Sequence, residues 1–234
     1  MKTKLRVLLC AIRYIIPNIY FNFHYLPIRH AWKMPVIFYK PHFGMLKGDV
    51  KINSNGEVKF GMIKMGFNSV ALYSNNGILF QNAGDTITFN GTCHIGNNSA
   101  VAVGRKGKLE IGKNFTSTAG LKIACQHRVT IGDDVLCGWE VMMVDSDFHK
   151  VTFTDGRRSP DGYKPITVGN GCWIGFRSIL MKGTSLNEHC IVSSNSMCNK
   201  AYSDSYVLLA GQPAVIKKKG VYRDSHNDII NYPS

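Results

Sequence analysis

The sequence predicts an all-β solenoid, a triangular parallel β-helix built from very short strands. A short helical or irregular segment leads it, and one excluded loop interrupts it. Three observations carry this reading. Aliphatic residues recur every six positions at Val168, Ile174, Leu180, Leu186 and Val192. A small side chain follows each by four positions, at Cys172, Ser178, Thr184, Cys190 and Ser196. The register continues upstream but breaks once, between Met143 and Val168. A six-residue period is neither helical nor alternating. It fits a short strand plus a corner, three of which close a coil of about 18 residues.

The chain has 234 residues, 44% hydrophobic and 18% charged, which excludes a disordered polymer. Its net charge of +13 is uneven. Residues 1–48 hold eight basic side chains (Lys2, Lys4, Arg6, Arg13, Arg29, Lys33, Lys40 and Lys47) and no acid before Asp49. From Lys2 to Ile16, apolar residues at positions 5, 8, 9, 12, 15 and 16 predict an amphipathic helix ending near Pro17. That helix suits either peripheral contact with anionic lipid or docking on the protein's own body. Residues 18–48, rich in aromatics and Pro, read as irregular. Arg13 and Pro17 interrupt the best candidate for a membrane span, and VLLCAI is too short for a secretory signal. The seven cysteines form no CxxC pair and no disulfide framework, so they are expected to be reduced thiols in a cytoplasmic protein. Nucleic-acid binding is not expected, because the excess charge sits in an apolar segment.

The domain divisions expected are 1–48 for the basic front, 49–220 for the solenoid and 221–234 for a tail. Weaker repeats precede the strong ones. Ile131, Cys137 and Met143 keep the six-residue step, as do Ile111, Ser117 and Ile123. Ile95, Val103 and Ile111 step by eight, which two-residue bulges at corners would explain. Ile52 and Phe60, then Phe89 and Ile95, suggest an irregular first coil. At the break, Val168 follows the next expected position, 149, by 19 residues. The insertion, about 144–166, is charged and rich in turn signals, so it should loop out from the rod. His149 stands at its root beside Asp145 and Asp147. An imidazole suits proton removal from an attacking hydroxyl, and a carboxylate on its other nitrogen would fix the tautomer. Asp145, Asp147 and Glu140 are all open for that role.

The hexapeptide register, the stretch SSNSMCNKAY and the closing LLAGQPAVIKK resemble the left-handed β-helix (hexapeptide-repeat) acyltransferases, in their sugar and polysaccharide O-acetyltransferase branch. Ala210-Gly211-Gln212-Pro213-Ala214-Val215-Ile216 matches the family's AGxPAxxI segment. The resemblance covers residues 50–220 and is strongest over 165–217. Left-handedness is what the resemblance implies; general crossover rules favour the opposite hand. It also implies an acetyl-CoA donor, a sugar or glycan acceptor in surface polysaccharide or lipopolysaccharide assembly, and a homotrimer with sites between neighbouring rods. Asp145-Ser146-Asp147-Phe148-His149 is similar to the family's DxDxxH-like segment, making His149 the general base.

By the same resemblance, backbone near Gly175, Ser193 and Ser194 would follow the pantetheine arm, and Lys200, Lys217 and Lys218 would meet its phosphates. Trp139 and Glu140 are candidates for the acceptor. Cys137, Cys172 and Cys190 fall on interior positions, so direct transfer is expected rather than a thiol intermediate. No metal is expected. Zinc carbonic anhydrases share the fold but need a closely spaced His pair and a third His, whereas His127 and His149 lie 22 apart. Transfer to an amino-sugar nitrogen, a small non-sugar acceptor, and a non-catalytic trimeric scaffold are the alternatives.

Overall fold

A computed structural model describes residues 12–54, 57–158, 160, 162–225, 227, 228 and 230. Most of the expected Lys2–Ile16 helix lies outside them. The observed helix α1 is Ile15–Tyr25, and it runs through Pro17 rather than ending there. Pro17 is the third residue of α1, within the first turn, where a backbone N–H has no intrahelical partner to lose. A one-turn helix, α2 (Ile28–Ala31), follows.

Among the described residues, 23 strands wind three to a coil. The first coil is β1 (Val36–Phe38), β2 (Pro41–Leu46) and β3 (Asp49–Ile52), so the solenoid starts at Val36 and not at residue 49. Next come β4–β6 (Ile63–Phe67, Ile78–Asn82, Thr86–Phe89) and β7–β9 (Cys93–Asn97, Ser99–Val103, Lys108–Ile111). The fourth coil is β10–β12 (Phe115–Ala119, Lys122–Cys125, Arg128–Ile131), and the fifth is β13–β15 (Leu136–Cys137, Met142–Val144, Ile166–Val168). The sixth is β16–β18 (Trp173–Ile174, Ile179–Met181, Ser185–Leu186), and the seventh is β19–β21 (Ile191–Val192, Met197–Cys198, Ala201–Tyr202). Every third strand pairs in parallel, giving a three-sided prism whose faces begin with β1, β2 and β3. An antiparallel hairpin, β22 (Val207–Gly211) and β23 (Ala214–Lys219), extends the first face.

The rod narrows along its length. Val36 pairs with Ile63 and Ile63 with Cys93, 27 and 30 residues on, whereas Trp173 pairs with Ile191 after 18. The eight-residue steps therefore arise from strands of four or five residues, not from bulged corners. The wide early coils also explain why residues 36–46 show no hexapeptide period. Phe60 takes no part in the first coil and is 47% exposed.

All five predicted aliphatics of the strong repeat are buried, as are the five small residues four positions later. Those small side chains do more than fit. The Ser178 and Thr184 hydroxyls donate to the carbonyls of Ser193 (2.9 Å) and Cys198 (2.8 Å), and the Cys172 thiol donates to that of Asn187 (3.1 Å). The accepting carbonyls lie 14 or 15 residues further on, at corners for Ser193 and Asn187 and at a strand end for Cys198, so each side chain ties one turn of the rod to the next. The corners themselves need left-handed backbone. Gly171 supplies it at φ +67°, but His189 and Tyr206, stacked above it, adopt it without glycine. Glycine is thus favoured at a corner but not required there.

Candidate active site

The fifth coil makes the break. Leu136 pairs with Trp173 after 37 residues, whereas the next coil needs 18. The 19 extra residues leave the edge between the second and third faces, after Val144. There Asp145 is fully buried. Its carboxylate accepts the backbone N–H groups of Gln126 (2.7 Å), His127 (2.8 Å) and Arg128 (2.7 Å), the corner of the preceding coil. The loop's two legs then run antiparallel, Ser146 bridging Tyr163. The Asp147 N–H donates to Gly162 O (2.7 Å) and the Lys164 N–H to Asp145 O (3.1 Å). The Asp147 carboxylate receives Lys182 Nζ at 2.6 Å. Further out, Thr152 bridges Arg158, and Asp155 holds Arg157 across the turn.

His149 lies on the outgoing leg, exposed, at a cleft of about 540 Å³ that it shares with Ser146, Lys150, Thr152, Arg158 and Tyr163. Such a volume suits a small-molecule group. Neither Asp145 nor Asp147 is bonded to the imidazole, each carboxylate being directed to the loop root instead. His127, one coil earlier on the same edge, packs its ring against Tyr163 at 4.8 Å.

Trp139, Glu140, Gly175, Ser193 and Ser194 occupy a different edge, between the first and second faces. Glu140 (φ +58°) and Arg177 (φ +57°) stack at equivalent corners, and Arg177 Nε reaches the Glu140 carboxylate at 2.7 Å. That guanidinium, together with the Tyr73 hydroxyl, holds the Glu140 carboxyl below the ordinary carboxylate range. Glu140 is therefore remote from His149 within one chain. Trp139 stacks on Phe176 at 5.1 Å. Gly175 donates its N–H to Val192 O (2.7 Å), and a Cβ there would come within 2.6 Å of Ser194 N, so only glycine permits this stacking. Ser193 and Ser194 are half-buried beside it. Lys200 shares the His149 edge, two coils on, with its Nζ 5.7 Å from the centre of the Tyr202 ring. Lys217 and Lys218 are exposed on β23, at the margin of the first face.

Burial pushes Cys137 up to about 12, and contact with Cys190 together with burial raises Cys172, while the same contact lowers Cys190. Among the described residues, no group of three His, Cys, Asp or Glu side chains is arranged to hold a metal.

Lys182, Tyr163 and Arg177 were not singled out from the sequence. The signal for Lys182 lay in the register: Met142 pairs with Ile179, which sets residue 182 directly above residue 145 at the loop root.

No family model matches the chain. Over 125 residues it is 30% identical to the galactoside O-acetyltransferase of Escherichia coli (strain K12), covering 53% of this chain and 60% of that protein. The chain thus spans less than two thirds of that relative's length. It is 26% identical over 175 residues to an uncharacterized 24.8 kDa protein in the cps region of Klebsiella pneumoniae, covering 74% and 77% of the two chains. Among solved structures, the polySia specific acetyltransferase NeuO superposes with a TM-score of 0.48 at 21% identity, covering 78% of this chain and 88% of that one. The chain's relatives in sequence thus include a galactoside O-acetyltransferase and a putative lipopolysaccharide biosynthesis O-acetyl transferase of Escherichia coli, and its strand pairing is that of a three-sided parallel β-helix.

Proposed function

We propose that this protein is an acetyl-CoA-dependent O-acetyltransferase that modifies a sugar hydroxyl of a cell-surface polysaccharide or lipopolysaccharide, working in the cytoplasm where its donor is made. The observation that carries this reading is the 19-residue break in the hexapeptide repeats of the rod. It sets an exposed imidazole on a tied-down loop at a cleft, and similarity to a galactoside O-acetyltransferase supports acetyl transfer to a sugar. His149 takes the proton from the acceptor hydroxyl as its oxygen attacks the thioester carbonyl. The tetrahedral oxyanion is held by a backbone amide. The carbon–sulfur bond then breaks, and the imidazolium returns the proton to the departing thiolate, leaving an ester and free coenzyme A. The Asp147–Lys182 pair holds the loop root in place for this step.

The two edges give a reason for a trimer. Gly175, Ser193 and Ser194, proposed to follow the pantetheine arm, are separated from His149 by a whole face of the prism. A neighbouring rod presenting its first–second edge to the His149 edge would complete the site, with Trp139 and Glu140 beside the acceptor and Lys200, Lys217 and Lys218 near the phosphates. The test measures thiol release from acetyl-CoA against a panel of sugars and lipid-linked glycans. His149→Ala is expected to lower kcat by about 10²–10⁴-fold; equal turnover would remove His149 from the reaction. Co-expressing His149→Ala with Ser194→Trp should restore turnover through mixed trimers. A fully active monomer in the ultracentrifuge would contradict the shared site.

A further inference from the structure

Helix α1 is built inside out. Its buried face is Asn18, Phe21 and Asn22. The two amides act as a substitute strand along the open edge of β1. Asn22 accepts from the Val36 N–H (3.1 Å) and donates to Val36 O (2.8 Å); Asn18 accepts from the Phe38 N–H (2.7 Å) and donates to Phe38 O (3.2 Å). With polar residues committed inward, the apolar face of the helix is turned to solvent. Ile12, Ile15, Ile19 and Phe23 join Trp32 and Phe60 in lining a groove of about 410 Å³ at the end of the rod. Ile16 at 79% exposure, Trp32 at 72% and Ile28 at 68% stand out around it. A contiguous apolar surface of this kind marks an interaction site.

Charge decides the occupant. Arg13, Arg29 and Lys59 are exposed on the segments that carry this face, and Lys33 beside Trp32 is paired with Glu57. The first 48 residues contain eight cations and no acid. Exposed Trp and Tyr side chains, here Trp32 and Tyr20, suit the boundary between headgroups and acyl chains. We infer that the α1–α2 face, from Ile12 to Trp32 with Phe60, docks the rod end-on upon an anionic phospholipid bilayer. This surface is distinct from the cleft at His149, which lies in the fifth coil, about 20 Å further along the rod at about 4.8 Å per coil. The docking stands whether or not that cleft transfers acetyl groups.

The test is co-sedimentation of the full chain with vesicles of phosphatidylcholine alone or mixed with phosphatidylglycerol. Wild type should partition onto the mixed vesicles and be released by salt. The pairs Ile16→Glu/Trp32→Glu and Arg13→Glu/Arg29→Glu should each weaken that partition by about tenfold or more. Unchanged melting temperatures would confirm that these exposed substitutions leave the fold intact. In a variant keeping Trp32 as its sole tryptophan, brominated lipids should quench the fluorescence. Wild type left in the supernatant with phosphatidylglycerol vesicles, equal partition of the variants, or unquenched Trp32 would each overturn the inference. If Ile16→Glu/Trp32→Glu instead changed the particle mass without any vesicle binding, the face would be a protein interface and the lipid assignment would fail.

Discussion

Asp145 offers both carboxylate oxygens to three backbone donors of the preceding corner, which makes it a clamp between coils. Asp145→Ala would leave three partly buried N–H groups without their charged acceptor, a loss of about 3 kcal/mol in urea denaturation. Against a typical total of about 5–15 kcal/mol, that is a severe lesion. Lys182 predicts the opposite balance. Its pair with Asp147 is a quarter to a third exposed, so Lys182→Met should alter stability by less than about 1 kcal/mol. If the pair positions the loop root, the same variant should lower kcat about tenfold through misplacement of His149, and Lys182→Arg should recover part of it. A wild-type kcat in Lys182→Met would refute that role. The motif Asp145-Ser-Asp147-Phe-His149 was legible in the sequence, but the division of labour between its carboxylates was not. It depends on which backbone donors a neighbouring coil turns toward each oxygen.

The excluded loop and helix α1 are both additions to a regular stack, and each can be tested as a unit. The sixth coil turns the loop's corner with only Lys182, Gly183 and Thr184. Replacing residues 146–166 with the Gly-Thr of that corner, which keeps the Asp145 clamp and the register of Thr167 with Ser185, should preserve the circular dichroism spectrum and a cooperative melt while abolishing acetyl transfer. The corner holding Glu140 is joined by Tyr73, from the long connection between β4 and β5. Because Arg177 holds the Glu140 carboxyl below its unfolded value, the stabilisation is present above the ordinary carboxylate range and lost as pH falls through the lowered one. Melts of wild type and Glu140→Gln should therefore differ at neutral pH and converge in acid. In α1, Asn18→Ala or Asn22→Ala removes two bonds to the buried edge of β1, at a cost of about 2–3 kcal/mol each by chemical denaturation. The sequence pattern ends this helix near Pro17, whereas α1 runs to Tyr25, because periodicity registers apolar spacing and not the turn in which a proline is tolerated.

A parallel stack has two open ends, and this molecule closes both. The amides of α1 cover β1, while the 211–214 segment lies over the last coil: Tyr202 donates to Ala214 O (2.9 Å) and Gln212 to Asn195 O (2.7 Å). Removing residues 1–34 should expose the β1 edge and drive end-to-end association, read as rising mass in light scattering. The hexapeptide register, its small interior residues and the 19-residue break were all readable from the chain alone, because each follows from how many residues one turn of the rod requires. Which edge each side chain occupies, and hence that His149 stands apart from Gly175 and Ser194, was decided only in three dimensions. Wide early coils and bridging hydrogen bonds join residues 14 to 37 positions apart, and no local pattern records those pairings.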